Sequence, residues 1–163
     1  YQDIYDDLEN KKFFIEGGSM IESIYFYKNG YFDGVNKGGN GGYIGMGLYN
    51  GKFDIKEKLS DTSYLINLRR IDYDTNTGKE KDINFNNSNW HFKYTEALFF
   101  SNDMVGKDFV LYLPKTKFSS LDENEQINMK MLNHHISNDM INIYAIEKKQ
   151  DDYKGFMTEF IKE

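Results

Sequence analysis

Two aromatic-rich runs meet at an Asn-Gly step in the stretch Ile24-Tyr25-Phe26-Tyr27-Lys28-Asn29-Gly30-Tyr31-Phe32-Asp33-Gly34. This combination is typical of an antiparallel hairpin. A two-residue turn would set Phe26 opposite Asp33, whereas a longer, bulged turn sets Phe26 opposite Phe32. Because only the longer turn keeps the apolar side chains on one face, the sequence predicts the bulged register.

The composition extends this prediction to the whole chain. With 163 residues, the chain has the length of one domain, 1–163, and a domain near this size buries roughly 70% of its unfolded surface. Aromatic residues make up 17% of the chain, with 13 Tyr and 13 Phe. Aromatic and β-branched residues suit pleated surfaces, so we expect an all-β, mainly antiparallel fold.

Charge and cysteine content exclude several classes of function. The 26 acidic and 20 basic residues give a net charge of -6, which argues against nucleic-acid binding and against adhesion to anionic lipid. The chain contains 0 Cys, which removes disulfides, thiolate catalysis and cysteine-ligated zinc. No apolar run approaches the ~18 residues that span a bilayer, so we expect no membrane insertion by this chain.

Alternation of apolar residues predicts further strands. Between Tyr43 and Phe53, one face carries Ile44, Met46 and Leu48, and the other carries glycines, which mark a bend or the close approach of another segment. The run Thr62 to Tyr73 reads as a long strand with a bulge at Arg69-Arg70 that returns Ile71 to the inner face. Further alternating strands contain Trp90, Phe92 and Tyr94, and then Phe109, Leu111 and Leu113.

Two helices complete the predicted elements. Apolar residues at helical spacing predict a short helix within 3–10, and the same segment is also compatible with a frayed tail. The capping-box spacing of Ser120 and Glu123 predicts a late helix over about 120–133. The runs Met140 to Ile146 and Tyr153 to Ile161 are predicted to be closing strands, and the second is also compatible with a helix.

The elements together predict an up-and-down small β-barrel. About eight or nine strands with short connections favour antiparallel neighbours, and closing the sheet removes its exposed edges. The same spacing is compatible with a two-sheet β-sandwich, which is the alternative fold.

The order of motifs resembles a family of uncharacterised exported or lipoprotein domains of low-GC Gram-positive bacteria. In that family, a strand, an (Asp/Asn)-Gly turn and a Phe-x-Gly open the fold, and a glycine-rich loop follows. The matching segments are Asn29-Gly30-Tyr31-Phe32-Asp33-Gly34, Gly38 to Gly42, Asn50-Gly51-Lys52-Phe53, Thr62-Ser63-Tyr64, Leu111-Tyr112-Leu113-Pro114-Lys115-Thr116 and Tyr153-Lys154-Gly155-Phe156.

This resemblance implies a lipocalin-like barrel outside the cytoplasm and no established activity. We therefore expect the protein to be extracellular or attached to the cell envelope, with a possible lipid anchor upstream. The start at Tyr1 in place of an initiator Met is interpreted as a removed leader.

Aromatic residues and glycines supply the candidate binding residues. Trp90, Tyr94 and Tyr43 are candidate ligand-binding residues, because aromatic rings stack on sugars, bases and peptides. The alternation of Trp90 with Phe92 and Tyr94 favours a core position for Trp90. Between Asn36 and Gly42 the composition predicts a flexible loop at the barrel mouth, and the candidate contact residues in it are Gly38, Gly39, Asn40, Gly41 and Gly42.

Neither a metal site nor a catalytic group is predicted. The loop 72–80 resembles a calcium loop, but it has Thr77 and Ile83 where an EF-hand requires Gly and Glu. The adjacent His134 and His135 would project about 100° apart on a helix and are predicted to lie on the surface. We predict no cofactor.

These observations leave three hypotheses for the function. The first is a non-enzymatic binding module that holds a small ligand, glycan or peptide. The second is a macromolecular interaction or inhibitor protein with a side-chain-filled barrel, whose partner is an envelope or host protein. The third and weakest is an enzyme that uses Asp33 or Glu96, the acids embedded in apolar segments.

Overall fold

The computed structural model describes residues 1–129, 134–150 and 153–161. Within these ranges the chain forms two α-helices and thirteen strands. The helices are α1 (Gln2–Leu8) and α2 (Glu123–Met129). The strands are β1 (Lys12–Gly17), β2 (Met20–Phe26), β3 (Tyr31–Asn40), β4 (Tyr43–Ser60), β5 (Ser63–Tyr73), β6 (Glu80–Phe85), β7 (Ser88–Tyr94), β8 (Asp108–Tyr112), β9 (Thr116–Lys117), β10 (Ile136–Ser137), β11 (Met140–Ile141), β12 (Ala145–Gln150) and β13 (Tyr153–Glu159).

Eight strands close into the predicted antiparallel barrel. Their order around the barrel is β1, β2, β3, β4, β5, β8, β12 and β13, after which β13 pairs with β1. The order follows the chain, so the barrel is an up-and-down meander. Two excursions interrupt it: the hairpin of β6 and β7 precedes β8, and the segment from β9 to β11 precedes β12.

The opening hairpin adopts the predicted bulged register. Phe26 pairs with Phe32, and Ile24 pairs with Gly34. The connection is a 3-10 turn in which Asn29 has a φ of 58°, a left-handed conformation that Asn tolerates better than most residues. The apolar pattern therefore identified the correct pairing.

The predicted bulge in the long strand is also confirmed. Lys52 of β4 pairs with Arg70 of β5, but the next residue, Phe53, pairs with Leu68. Arg69 is the extra residue, and it restores the inward direction of Ile71, which is buried.

Side chains fill the interior of the barrel. Phenylalanines dominate this core, in which several rings lie edge to face. Phe26, Phe32, Ile66 and Leu111 share this one cluster, as a closed barrel requires. The other buried members are Ile4, Leu8, Phe13, Ile24, Tyr49, Phe53, Tyr64, Leu68, Ile71, Ala97, Phe99, Phe100, Phe109, Ile146 and Met157.

Helix α1 packs against one end of the barrel. Ile4 and Leu8 are buried in the barrel core, as their helical spacing predicts. The hydroxyl of Tyr5 accepts a hydrogen bond of 2.8 Å from the backbone N–H of Ile55. This hydrogen bond joins α1 to the backbone of β4.

A second apolar cluster lies on the outer face of β8, β12 and β13. It is formed with α2 and with the small sheet of β9, β10 and β11. Its buried members are Val110, Tyr112, Leu121, Met129, Ile141, Ile143, Ala145 and Phe156.

Among the described residues, neither helix has the length and apolar character needed to cross a membrane.

The predicted flexible loop over 36–42 is wrong for most of its length. β3 continues to Asn40, and Gly38 pairs with Met20 on one side and with Gly45 on the other. Only Gly41 and Gly42 form the turn to β4. Backbone pairing on both edges overrides the loop-like composition of this segment.

The late elements begin and end differently from their predictions. Helix α2 begins at Glu123 and is capped by Asp122, whose Oδ1 accepts a hydrogen bond from the N–H of Glu125, whereas the hydroxyl of Ser120 donates to the carbonyl of Lys117. The predicted end of this helix, 130–133, lies outside the described residues. The predicted strand over Met140 to Ile146 is divided between β11 and β12.

Candidate binding site at the plugged end of the barrel

The segment 95–101, which we call the plug, leaves β7 and enters the barrel end opposite α1. Phe99 and Phe100 are buried in the core. The ring of Phe100 lies 5.6 Å from that of Phe32 and 5.6 Å from that of Phe109, between centroids. The plug therefore contributes side chains to the barrel core although it is not one of the barrel strands.

Glycines on the inner face of the sheet make room for the plug. The N–H of Thr95 donates a hydrogen bond of 2.8 Å to the carbonyl of Met46, which continues the parallel pairing of β7 with β4. A Cβ atom on the next residue, Gly47, would lie 2.4 Å from the carbonyl oxygen of Thr95. A side chain at Gly47 would therefore displace the plug.

Glu22 binds the backbone of the plug from inside the barrel. Its carboxylate accepts hydrogen bonds from the N–H groups of Phe99 (2.8 Å) and Phe100 (3.1 Å), and from the hydroxyl of Tyr49 (2.7 Å). Burial raises the pKa of Glu22, and these hydrogen bonds and the charge of Lys148 oppose that rise. Burial and the adjacent Glu22 raise the pKa of Tyr49 well above its ordinary value, so its hydroxyl stays protonated and can donate.

Other side chains bind further polar backbone groups of the plug. Tyr73 is central, because its hydroxyl accepts from the N–H of Ala97 (2.7 Å) and donates to the carbonyl of Phe100 (3.1 Å). Burial raises the pKa of Tyr73 to about 12. The carbonyls of Glu96 and Leu98 accept from Nδ2 of Asn36 (3.3 Å) and from Nζ of Lys148 (3.1 Å). A buried loop requires such partners, and these side chains provide them.

An open groove lies beside the plug. It has a volume of about 290 Å³, and its surface is mainly apolar. Leu98, the middle residue of the plug segment, is 64% exposed. The residues that line the groove are Ser19, Met20, Gly38, Gly39, Tyr43, Gly45, Thr95, Glu96 and Leu98.

A smaller hollow of about 40 Å³ lies on the other side of Met20 and Leu98. It is lined by Ile15, Glu16, Gly17, Met20, Glu22, Asn36, Leu98 and Phe99. Within the described part of the chain, Oδ1 of Asn36 is buried without a hydrogen-bond partner. The groove and the hollow form the candidate binding site.

The structure brings some of the predicted binding residues together in the groove. Tyr43, Gly38 and Gly39 line it, and the ring of Tyr43 stacks on that of His91 at 5.8 Å. Asn40 ends β3, and Gly41 and Gly42 form the adjacent turn, outside the groove lining.

Trp90 and Tyr94 lie on β7, outside the groove lining. Trp90 pairs with Ile83 of β6 and is half-buried. It belongs to neither apolar cluster, so the core position favoured by its alternation is wrong. The hairpin of β6 and β7 extends the sheet beyond the eight barrel strands. Alternation in β7 therefore does not direct its side chains into the barrel core.

Of the acids and histidines singled out in the sequence, Asp33, Glu96 and His134 are exposed, and His135 is partly buried. Asp33 accepts a hydrogen bond from the hydroxyl of Tyr27, and Glu96 accepts one from the N–H of Asn102. His91, which lies on β7, is paired with Asp82 at 2.9 Å. Among the described residues, no group of three or more His, Asp or Glu side chains is arranged to hold a metal ion.

Glu22 was missed in the sequence, although a signal for it exists. In β2, Glu22 has the same alternation as Ile24 and Phe26, and it therefore faces the interior with them. A charged residue on an inward face requires internal partners, which the plug provides.

Comparisons of the chain with protein-family models, curated protein sequences and solved structures found no match.

Proposed function

We propose that the chain is a non-enzymatic binding module that recognises a partner protein through the groove beside the plug. The observation that carries this proposal is an exposed apolar groove on a barrel whose interior is filled. Phenylalanines from the strands and from the plug occupy the space in which a hollow barrel would hold a small ligand. Binding by the outer surface is the alternative that remains for such a barrel.

The shape of the groove suits a segment of polypeptide. Gly38, Gly39 and Gly45 provide no side chains, so a bound chain can approach the sheet closely. Met20 and Tyr43 provide an adaptable and a rigid apolar surface, respectively, and both residue types are common in protein interfaces. The volume of about 290 Å³ accommodates a few side chains rather than a large cofactor.

Peptide selection tests this proposal. Peptides selected from a random library against the wild-type protein should bind Leu98→Glu at least about tenfold more weakly, because the substitution places a charge in the apolar groove. Isothermal titration calorimetry measures both affinities.

Leu59→Glu is the matched control for Leu98→Glu. Leu59 is 47% exposed and lies at the opposite end of β4, so this variant should keep the wild-type affinity. Equal binding of the selected peptides to wild type and Leu98→Glu, or failure to select any peptide, would refute a role of the groove in protein binding.

We also propose that the protein acts outside the cytoplasm or on the cell envelope. The support is the sequence resemblance to exported and lipoprotein domains, carried by segments such as Asn29-Gly30-Tyr31-Phe32-Asp33-Gly34. Fractionation of the cells that produce the protein should place it in the envelope or the medium. Recovery from the cytosol alone would contradict this location.

A further inference from the structure

We infer that the partner segment carries a basic side chain next to an apolar one, with the basic group directed towards the carboxylates around Met20 and Leu98. The inference deepens the proposed function and rests on it, because it specifies the chemistry of the segment that the groove selects. Three observations carry it: the charges that line the site, the internal role of Lys148, and the buried Oδ1 of Asn36, which has no hydrogen-bond donor in the described part of the chain.

The charged side chains that line the site are all acidic. Glu96 lines the groove, and Glu16 and Glu22 line the hollow. Neither lining set contains a lysine, arginine or histidine in the described part of the chain. A cationic group therefore complements this surface, and an anionic group would meet like charges.

Glu16 and Glu96 are exposed residues of the site lining. Glu96 accepts a hydrogen bond of 3.0 Å from the N–H of Asn102, which is an uncharged donor. Among the side chains that the structure describes, neither glutamate is in an ion pair. Both are therefore available to a cation of the partner.

Lys148 is a cation that contacts the plug from inside the barrel. Nζ of Lys148 donates to the carbonyl of Leu98 at 3.1 Å, and its charge acts on the buried Glu22. The side chain of Lys148 is buried and lines neither the groove nor the hollow. Lys148 therefore does not neutralise the charges of the exposed Glu16 and Glu96.

Asn36 presents an acceptor beneath the site. Its Nδ2 donates to the carbonyl of Glu96, and this bond fixes the amide, since a flipped amide would set two oxygens against each other. Oδ1 is then a buried acceptor without a donor in the described part of the chain. Because Asn36 lines the hollow, a group with N–H donors that enters there provides the missing type of partner.

Three small probes with the same phenyl group and different charges test the inference. They are phenethylammonium, phenethyl alcohol and 3-phenylpropionate, titrated into the ¹⁵N-labelled protein and followed by ¹H–¹⁵N NMR. We expect phenethylammonium to bind about three- to tenfold more tightly than 3-phenylpropionate, a ratio typical of one or two exposed ion pairs. The side-chain amide signals of Asn36 should shift more with the ammonium than with the carboxylate.

A double variant locates the source of the charge preference. Glu16→Gln combined with Glu96→Gln should abolish the difference between the probes, and Glu57→Gln, at an exposed position towards the far end of β4, should keep it. Both altered glutamates are exposed, so the double variant is expected to fold.

The outcomes separate this inference from the proposed function. Equal affinity of the three probes for the wild-type protein, or a preference that persists in the double variant, would overturn the inference and leave the apolar groove in place. Absence of any shift of groove signals with all three phenyl probes would count against the groove, and thereby against both proposals.

Discussion

At the scale of single residues, Glu22 connects the barrel to the plug. One carboxylate accepts two backbone hydrogen bonds from Phe99 and Phe100 and one from the hydroxyl of Tyr49. A buried carboxylate is destabilising unless such partners compensate for the loss of water. In this protein the compensation is incomplete, because burial still raises the pKa of Glu22.

The raised pKa predicts a specific dependence of stability on pH. A carboxyl group with a higher pKa in the folded than in the unfolded chain takes up a proton on folding. The stability that Glu22 contributes in this way is fully present below its ordinary pKa of 4.5 and is lost as the pH rises through the raised value. Because Glu22→Gln cannot titrate, its stability relative to wild type should increase over this range.

Urea unfolding of wild type and Glu22→Gln from about pH 4 to about pH 7 measures this effect. Glu57→Gln serves as the control, since Glu57 is exposed on β4. A difference between wild type and Glu22→Gln that stays constant across the series would contradict the role assigned to the buried carboxylate.

At the scale of elements, β4 has two roles. Its first half pairs with β3 and with β7, and its second half continues along β5, so β4 joins the barrel wall to the hairpin that leads to the plug. The glycines on its inner face, among them Gly47, leave room for that plug. The structure thus identifies the close approach that the glycine pattern predicts in this strand.

The contact between β4 and the plug predicts the effect of Gly47→Ala. The added Cβ would lie 2.4 Å from the carbonyl oxygen of Thr95, so we expect a loss of about 1–3 kcal/mol in the free energy of unfolding. Gly17→Ala is the matched control, because a Cβ at Gly17 meets no atom within 4 Å. Urea unfolding compares the two variants, and equal stabilities would show that the plug can move away without loss.

At the scale of the whole molecule, closure is the property on which the core depends. The closing contact pairs Phe13 with Glu159 and Phe14 with Thr158. It is short beside the pairing of β4 with β5, which extends from Tyr49 to Ser60 along β4. The barrel therefore has a short seam between its first and last strands.

The seam predicts unequal protection from hydrogen exchange. Amides that bond β1 to β13 should exchange faster than amides that bond β4 to β5, because a short pairing opens at lower free energy than a long one. Native-state exchange followed by NMR measures both sets in one experiment. Uniform protection around the barrel would contradict a weak seam.

Local patterns account for most of the barrel. Alternation identified the long strands, the Asn-Gly step identified the hairpin, and the apolar pattern identified both the hairpin register and the bulge at Arg69. These features depend on residues that are close to each other in the sequence, so the sequence alone is sufficient to predict them. The glycine-rich segment was predicted incorrectly because its pairing partners, Met20 and Gly45, and not its composition, make it a strand.

The plug and most of the candidate site depend on contacts between distant parts of the chain. Glu22 and Phe99 are 77 residues apart, and the segment 95–101 has no regular alternation that would place it inside a barrel. Glu16, Met20 and Leu98 become neighbours of one hollow when the plug enters the barrel. Periodicity within the chain thus determines which segments are strands. Closure of the barrel around the plug determines which side chains meet at the barrel mouth, because residues that are distant in the sequence become neighbours only in the tertiary structure.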